Sequence, residues 1–349
     1  MNRPGRVGRA RRGSFRTVGL LAASMAVLLT AGCGLFGGGD SENDASSNTT
    51  AAAAGKLEKT TIKVGVMTVI DCAGSQIALE KDLFKAEGLT VEPETIQSGA
   101  FAVPKLANGE LDVSFGNWVS FMKAQQTGTL DMKFIGEAYV STPNSNFALI
   151  TAPDSGITDV KQLGDKKIAV NAKGNVNELL IRAVFEANDV PFDPNNLVEM
   201  KFPEMAPALA QHKVDAASLI DPLVVDAQKT IGAKIVTDLT GKGPAENFPL
   251  SGYATTAKFA KENPNTVAAF QRALLKGQQL AGDRKNVVEA LPKYAKMAPE
   301  TAAIVRFGTF PTTIDKKRVQ RVSDLLTTYD MMPKLDVTPL VVAMPAASS

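Results

Sequence analysis

The sequence contains very little cysteine, histidine and tryptophan. Its 349 residues include 2 Cys, 1 His and 1 Trp, so a metal centre built from several Cys and His ligands cannot be assembled. The same shortage excludes a framework of intramolecular disulfides. The sequence also has no P-loop, no glycine-rich dinucleotide turn and no nucleophile elbow. It therefore predicts a binding protein without a metal or cofactor, rather than an enzyme.

Residues 1–33 have the composition of an export signal. Six arginines precede a short apolar run at 18–29, which is typical of a secretory signal. The run is too short to span a bilayer, because a membrane helix needs about 20 apolar residues. Its last residues, Leu-Thr-Ala-Gly-Cys, resemble a bacterial lipobox and predict that Cys33 is lipidated and becomes the mature N-terminus. An ordinary secretion signal with a chance cysteine is the alternative. Arg11 and Arg12 leave twin-arginine export open beside the general secretory route.

Residues 34–56 are rich in small and polar residues and lack apolar periodicity, so we expect a flexible linker. Such a tether reaches roughly 25 Å. The charge balance changes once the signal is removed. The leader holds six of the 38 basic residues, which leaves 32 against 36 acidic residues and a net charge of −4. No basic patch remains, which argues against nucleic acid as a partner. We expect a protein held by a lipid anchor on the extracytoplasmic face of the cell membrane.

From residue 57 onward, strands alternate with helices. A β-branched run at 60–66 predicts a buried strand, and the amphipathic helix after it ends at Gly88. Further strands are predicted at 90–96 and 112–115, with a helix between them. This order is typical of a parallel α/β sheet.

A similar unit begins about a hundred residues later. Segment 104–113 matches segment 207–216 at a constant offset of 103, with Pro, Leu-Ala and Asp in shared positions. Any two strand–helix units look somewhat alike, but a match over ten residues favours two related lobes. In this alignment His212 takes the place of Gly109, just past a helix end, where a positive φ is needed. We therefore interpret His212 as a surface-turn residue.

Extended segments at 147–151 and 248–256 flank the second unit and predict two crossings between the lobes. We expect the first part of lobe I at 57–148, lobe II at 149–251 and a helical second part of lobe I at 252–349. Two lobes joined by two crossings can hinge shut over a ligand.

Several segments, in this order and spacing, make the chain similar to periplasmic binding proteins of the nitrate/taurine/alkanesulfonate type. Relatives of that family also capture pyrimidine precursors of thiamine. The segments lie at 63–67, 83–89, 107–113, 163–170, 214–217, 220–222 and 310–312.

The resemblance implies a type II periplasmic-binding-protein fold, an α/β fold whose two lobes meet at a hinge and hold a ligand in the cleft between them. It also implies the solute-binding subunit of an ABC importer, a monomer that delivers its ligand to a permease and ATPase complex. A ligand-sensing lipoprotein is one alternative. The other is a pyrimidine-synthesising enzyme of the same fold, which would need a Cys/His-rich iron site.

The chain departs from the family in two places where the ligand should bind. Ile220 and Asp221 precede Pro222, where family members often have an aromatic residue and Glu. Asn117 and Trp118 follow Gly116 in a turn that is commonly small and glycine-rich. The ligands of the family therefore do not transfer directly to this chain.

In open α/β sheets, ligands bind beyond the carboxyl ends of the strands. That rule selects six loops, at 68–74, 97–99, 115–118, 171–175, 203–205 and 220–222. The candidate ligand-binding residues on or near these loops are Asp71, Ser98, Asn117, Trp118, Glu137, Lys173, Asn175, Glu204 and Asp221.

Several of these residues have a structural alternative. Lys173 and Asn175 begin a helix whose free N–H groups suit an anion, although Lys173 could equally be a solvated loop residue. Asp71 and Glu204 are well placed as helix caps. Trp118 could stack on a ligand ring or pack in the core.

The charge on these loops favours one class of ligand. None of the six loops contains an arginine, the residue best suited to grip an anion. We expect Asp221 to pair with a cationic or donor group of the ligand. The loops therefore favour a neutral polar or zwitterionic ligand, taurine-like or pyrimidine-like, over nitrate or another simple anion.

The first testable prediction concerns the anchor. Replacing Cys33 with Ala should leave the protein unprocessed or released from the membrane, because the lipid attachment site is lost. Mass spectrometry of the membrane-bound wild type should find an acylated Cys33. An unmodified Cys33 in membrane-bound protein would contradict the prediction.

Overall fold

The computed structural model describes residues 55–143, 147–241 and 243–345, which pack as one unit. The predicted export signal, Cys33 and nearly all of the linker lie outside the described residues. Among the described residues, no helix combines the length and the apolar character needed to cross a bilayer.

Ten strands are found in the described part of the chain. They are β1 (Thr61–Val66), β2 (Thr90–Thr95), β3 (Val113–Asn117), β4 (Met132–Val140), β5 (Phe147–Thr151), β6 (Ile168–Val170), β7 (Leu197–Glu199), β8 (Ala216–Ile220), β9 (Lys234–Asp238) and β10 (Pro249–Thr256).

Twelve α-helices accompany them in the same part of the chain. They are α1 (Ala73–Glu80), α2 (Leu83–Ala86), α3 (Gly99–Ala107), α4 (Trp118–Gln126), α5 (Val176–Glu186), α6 (Phe202–Ala210), α7 (Leu223–Ile231), α8 (Ala257–Glu262), α9 (Pro264–Ala281), α10 (Arg284–Tyr294), α11 (Pro299–Ala302) and α12 (Lys316–Thr328). The helical tail predicted after residue 252 is present as α8 to α12.

The strands form two five-stranded sheets with the same arrangement. The first has the order β2-β1-β3-β10-β4 and the second the order β7-β6-β8-β5-β9. In each sheet the first three strands are parallel, and the fourth runs antiparallel to both of its neighbours. The antiparallel strand is the one that follows a crossing into its lobe, β10 in lobe I and β5 in lobe II.

The pairing of these two strands places the crossings between β4 and β5 and between β9 and β10. Strand β5 begins at Phe147, two residues before the expected start of lobe II at 149. Strand β10 pairs with the first sheet from Pro249, three residues before the expected return to lobe I at 252. Each strand belongs to the sheet with which it forms hydrogen bonds, so the first paired residue of β5 and of β10 defines where each lobe begins.

The internal repeat is confirmed at the level of single hydrogen bonds. Helices α3 and α6 are offset by 103 residues, and so are β3 and β8. The carboxylate of Asp112 accepts a hydrogen bond from Lys63 N at 2.9 Å, and that of Asp215 accepts one from Lys167 N at 2.8 Å. His212 has a φ of 53°, in the place where Gly109 has 73°. The prediction that His212 is a turn residue is therefore correct.

The close packing of α1 against α9 in lobe I depends on two glycines. A Cβ atom at Gly277 would overlap the carbonyl oxygen of Gly74, and one at Gly74 would overlap the side chain of Gln278. That side chain donates hydrogen bonds to the carbonyl oxygens of Glu137 and Ala138, both at 2.8 Å. The glycines therefore let α9 approach close enough for Gln278 to reach β4.

Replacing Gly277 with Ala should destabilise the protein by about 1–3 kcal/mol, because the added methyl group forces α1 and α9 apart. The direction of the change in stability tests the packing, because Gly to Ala inside an unobstructed helix stabilises by up to about 1 kcal/mol. Thermal unfolding would measure the effect, with Gln279→Ala on the exposed side of the same helix as a near-neutral control. An unchanged or raised melting temperature for Gly277→Ala would contradict the packing.

Candidate functional site

A cavity lies between the two lobes, where the strand ends of both sheets meet. The space between its walls is ≈ 390 Å³ when the open mouth is included, of which ≈ 40 Å³ can be reached by the centre of a water-sized sphere, so the lobes lie close together around it. Lobe I contributes Met67, Val69, Asp71, Phe115, Asn117, Leu250 and Ser251, and lobe II contributes Phe147, Asn171, Val176, Asn177, Phe202 and Ile220. The lining is mainly apolar and aromatic, with one carboxyl group and a few amide and hydroxyl groups.

Asp71 is the only ionisable residue in this lining. It lies in a short 3-10 turn (Ile70–Cys72) after β1, and it is 5% exposed. Ser251 Oγ donates a hydrogen bond to Asp71 Oδ2 at 2.8 Å, whereas Oδ1 is buried and has no partner. Burial raises the pKa of Asp71 from 3.8 to about 7. The carboxyl group is therefore close to half ionised at neutral pH.

The groups packed behind Asp71 add no positive charge. Cys72 and Tyr253 are buried there and Tyr294 is half-buried, and desolvation raises the pKa of each of these groups above its ordinary value. All three are therefore neutral at physiological pH. The charge of ionised Asp71 is compensated by hydrogen bonds from the Ser251 hydroxyl and from its own backbone, and these neighbouring groups add no cation.

Two asparagines have their amide orientations set by the protein. Asn117 caps α4, and its Oδ1 accepts a hydrogen bond from Ser120 N at 2.9 Å. Asn177 donates from Nδ2 to the Ser218 carbonyl at 3.3 Å and to the Ser218 hydroxyl at 2.9 Å. These bonds leave Asn117 Nδ2 as a donor and Asn177 Oδ1 as an acceptor, each without a protein partner, on residues that line the cavity.

Two carboxylates, one from α5 and one from β7, accept hydrogen bonds from the loop just before α5. Gly174 N donates to Glu178 Oε2 at 2.8 Å, and Lys173 N donates to Glu199 Oε2 at 2.9 Å. Asn175 caps the helix by accepting from Asn177 N at 3.0 Å. The positive end of the helix dipole thus already has acidic partners from the chain itself.

A protein-family model described as NMT1/THI5 like matches residues 70–316. The chain belongs to this family. A Bacillus subtilis (strain 168) protein described as an aliphatic sulfonates-binding protein is 28% identical over 283 residues, which cover 79% of this chain and 77% of that protein.

Solved structures show the same fold. The alkanesulfonate-binding protein SsuA from Xanthomonas axonopodis pv. citri, bound to MOPS, matches with a TM-score of 0.67 and 18% identity, covering 82% of this chain and 99% of that chain. The periplasmic nitrate-binding protein NrtA from Synechocystis PCC 6803 matches with a TM-score of 0.66 and 16% identity, covering 80% and 84%. The type II periplasmic-binding-protein fold expected from the sequence is therefore confirmed for this NMT1/THI5-like chain.

Of the nine residues suggested by the sequence, Asp71 and Asn117 line the cavity. Asn175 lies just behind the lining and donates from Nδ2 to Asn171 Oδ1 at 2.8 Å. Ser98 lies at the start of α3, buried and with its hydroxyl unpartnered, next to Gln97 at the mouth. The side chain of Lys173 is exposed outside the cavity.

The remaining four residues have structural contacts away from the lining. Trp118 is fully buried in the core between Phe121 and Phe134. Glu137 forms a two-pronged ion pair with Arg318, at 2.7 and 2.8 Å. Glu204 is exposed and accepts from Lys201 N as part of a capping box on α6.

Asp221 is fully buried and does not line the cavity. Its Oδ1 accepts a hydrogen bond from Val225 N at 3.3 Å, and its Oδ2 accepts one from Arg306 N at 3.1 Å. The protein itself therefore occupies the carboxylate that the sequence suggested for a cationic ligand group. Asp71 is the carboxyl group that the cavity offers instead.

Sequence reasoning did not select several of the lining residues. Asn177 belongs to the first turn of α5, just beyond the predicted ligand-binding loop at 171–175. Ser251 lies on antiparallel β10, to which the rule for parallel strand ends does not apply. Phe147 and Phe202 begin β5 and α6, and they resemble core residues in the sequence. Among the described residues, no group of three or more His, Cys, Asp or Glu is placed to hold a metal ion.

The buried carboxyl group predicts how stability depends on pH. The pKa of Asp71 is about 7 in the folded protein and 3.8 in a free chain, so between these values the folded state binds a proton that the unfolded state releases. Stability from this group is fully present below the lower pKa and falls as the pH rises towards 7, by roughly 4 kcal/mol in all. Asp71→Asn should remove this slope.

Melting temperatures of the ligand-free protein between about pH 5 and pH 8 would measure the effect. The wild type should lose more stability across this range than Asp71→Asn. Asp226→Asn, at an exposed position on α7, should keep the wild-type slope. Parallel profiles for the wild type and Asp71→Asn would contradict the assignment.

Proposed function

We propose that the chain is the extracytoplasmic solute-binding subunit of an ABC importer and that its ligand binds in the cavity between the lobes. The observation that supports this proposal most directly is the cavity itself. Unpartnered polar groups from both lobes line one space, with Asp71 and Asn117 on one side and Asn177 on the other. A ligand that contacts both sides would hold the lobes together. Membership of the NMT1/THI5-like family, and similarity to proteins described as binding sulfonates or nitrate, support the same role.

Hydrogen bonds between the lobes indicate how the cavity is closed. Gln97 Nε2 in lobe I donates to the carbonyl oxygen of Asn171 in lobe II at 3.1 Å. Lys123 Nζ in lobe I donates to the carbonyl oxygen of Gly174 in lobe II at 3.1 Å. Neither donor residue lines the cavity. Such contacts can stabilise a closed state without taking part in ligand recognition.

We further propose that lipidated Cys33 tethers a monomer to the membrane, where it delivers a small polar organic ligand to a permease and ATPase complex. The proposed ligand is either zwitterionic, as taurine is, or pyrimidine-like. A lipoprotein that senses the ligand and signals to a membrane partner is the second candidate. The two candidates differ in one outcome, since only transport makes cellular uptake of the ligand depend on this chain.

Two features of the described residues support a binding protein over an enzyme of the same fold. The iron site of such an enzyme requires clustered Cys and His residues. Here Cys72 is buried in lobe I, whereas His212 is on an exposed turn of lobe II beside Asp154, at 3.4 Å. These two residues cannot contribute to one centre.

The closure mechanism gives a direct test. The double substitution Gln97→Leu and Lys123→Met removes two bonds between the lobes and leaves the cavity lining intact. Each bond contributes about 1 kcal/mol, so the closed state should lose about 2 kcal/mol and ligand affinity should fall about tenfold or more. Calorimetry would measure the affinity, and small-angle scattering would measure the opening. The ligand would be the compound that gives the largest thermal shift in a screen of sulfonates, amino-sulfonates, pyrimidines and small amines.

The wild type should become more compact when this ligand binds, and the double variant should be more open before it binds. Lys161→Met, at an exposed position in lobe II, should behave like the wild type. A scattering profile unaffected by a bound ligand would count against closure. Unchanged cellular uptake of the ligand after deletion of the gene would favour the sensor over the importer.

A further inference from the structure

We infer that the cavity selects a ligand whose buried polar group donates hydrogen bonds, such as an amine, amide or amidine, and disfavours an oxyanion such as a sulfonate, carboxylate or nitrate. The inference rests on the proposed function, because it concerns the ligand of the same cavity. The similar proteins are described as binding sulfonates or nitrate, so this inference predicts that the chain has a different specificity within the same fold.

The first reason is that hydrogen-bond acceptors face the cavity from both lobes. Asp71 Oδ1 in lobe I is buried without a partner, and Asn177 Oδ1 in lobe II is free because both hydrogens of its amide point to Ser218. A buried acceptor without a donor costs about 1–3 kcal/mol, and more if it is charged. A ligand with N–H groups would remove that cost at Asp71 Oδ1 and would give Asn177 Oδ1 a donor. An oxyanion would be repelled by the ionised form of Asp71, which predominates above about pH 7.

The second reason is that the lining offers little to an anion. The described residues of the lining include no Lys, Arg or His, and the free donor on these oriented asparagines is Asn117 Nδ2. Lys123, which is near the cavity, already donates to the carbonyl oxygen of Gly174. An anion in this cavity would lose its hydration without gaining a counter-charge.

The third reason concerns the helix start that the sequence suggested for an anion. Glu178 and Glu199 already accept hydrogen bonds from the backbone N–H groups of Gly174 and Lys173. A sulfonate or nitrate at this helix start would lie beside these two carboxylates, and the nearby cation Arg182 is already paired with Glu178 at 2.8 Å.

The apolar part of the lining favours a flat or aliphatic body for the ligand. Phe115 in lobe I and Phe147 and Phe202 in lobe II contribute ring surface to the same cavity. Ring faces attract a cation through their quadrupole, which adds to the preference for a protonated amine or amidine. A single Asn117 donor suits a ligand that also carries one acceptor, as an amide does.

Three probes of nearly identical shape test the inference, namely benzamidine, benzamide and benzoate. They differ in whether the terminal group donates, donates and accepts, or only accepts hydrogen bonds. Their three smaller analogues, acetamidine, acetamide and acetate, repeat the comparison if the ring is too large. Calorimetry or ligand-detected NMR on the wild type should rank amidine above amide, and amide above carboxylate, with at least tenfold between the first and the last.

A charge substitution at Asp71 should change this ranking. Asp71→Asn keeps the size of the side chain and its ability to accept from Ser251, but removes the negative charge. The ratio of amidine to carboxylate affinity should fall at least tenfold in this variant. Asp226→Asn removes an exposed carboxylate outside the cavity and should leave the ratio unchanged.

The outcomes separate this inference from the proposed function. If nitrate, methanesulfonate or benzoate binds more tightly than the amidines and compacts the protein, the binding role stands and the ligand class is overturned. If the ratio is the same in Asp71→Asn and the wild type, Asp71 does not select the ligand and the inference fails. If no probe of either kind binds at millimolar concentration or alters the scattering profile, both proposals are contradicted.

Discussion

The two lobes depend on each other because the chain crosses between them twice. Each crossing leads into a strand that lies inside the sheet it joins, β5 in lobe II and β10 in lobe I. Strand β10 lies between β3 and β4, and seven of its eight residues are buried. It carries Leu250 and Ser251 to the cavity and Tyr253 into the core, while Gly252 leaves room for the ring of Trp118. The residues that close the lobe I sheet thus also form part of the cavity wall. The position of the cleft follows from the strand pairing.

Asp71, Glu137 and Asp221 are three of the buried carboxyl groups near the cleft, and the protein treats them differently. Glu137 is paired with Arg318, and Asp221 accepts backbone hydrogen bonds from two segments. Asp71 keeps one oxygen without a partner and is the one of the three that lines the cavity. A buried charge without compensation costs free energy, and in a binding protein a ligand can recover that cost. The uncompensated carboxyl group therefore indicates function more strongly than the two that are satisfied.

The internal repeat explains why two of the predicted ligand-binding residues are sequence neighbours of residues that line the cavity. At the offset of 103, Asn117 corresponds to Ile220 and Trp118 corresponds to Asp221. Asn117 and Ile220 both line the cavity, whereas Trp118 and Asp221 are both buried away from it. Successive side chains at the end of a strand point to opposite sides, so a shift of one residue exchanges cavity and core. Four of the six predicted loops contribute residues to the cavity, and Asp71 and Asn117 line it, whereas Trp118 and Asp221 on the same loops point away from it.

The sequence by itself determined the order of strands and helices, the repeat with its offset, the turn at His212 and the strand-end location of the cleft. These features depend on local periodicity, on turn residues and on the general geometry of α/β sheets, all of which are encoded over short stretches. The tertiary structure alone decided which carboxyl group faces the cavity, which asparagine oxygens remain free and which helix start is already occupied by carboxylates. Those properties depend on partners far apart in the chain, such as Ser251 for Asp71 and Ser218 for Asn177, and only the packed fold brings them together.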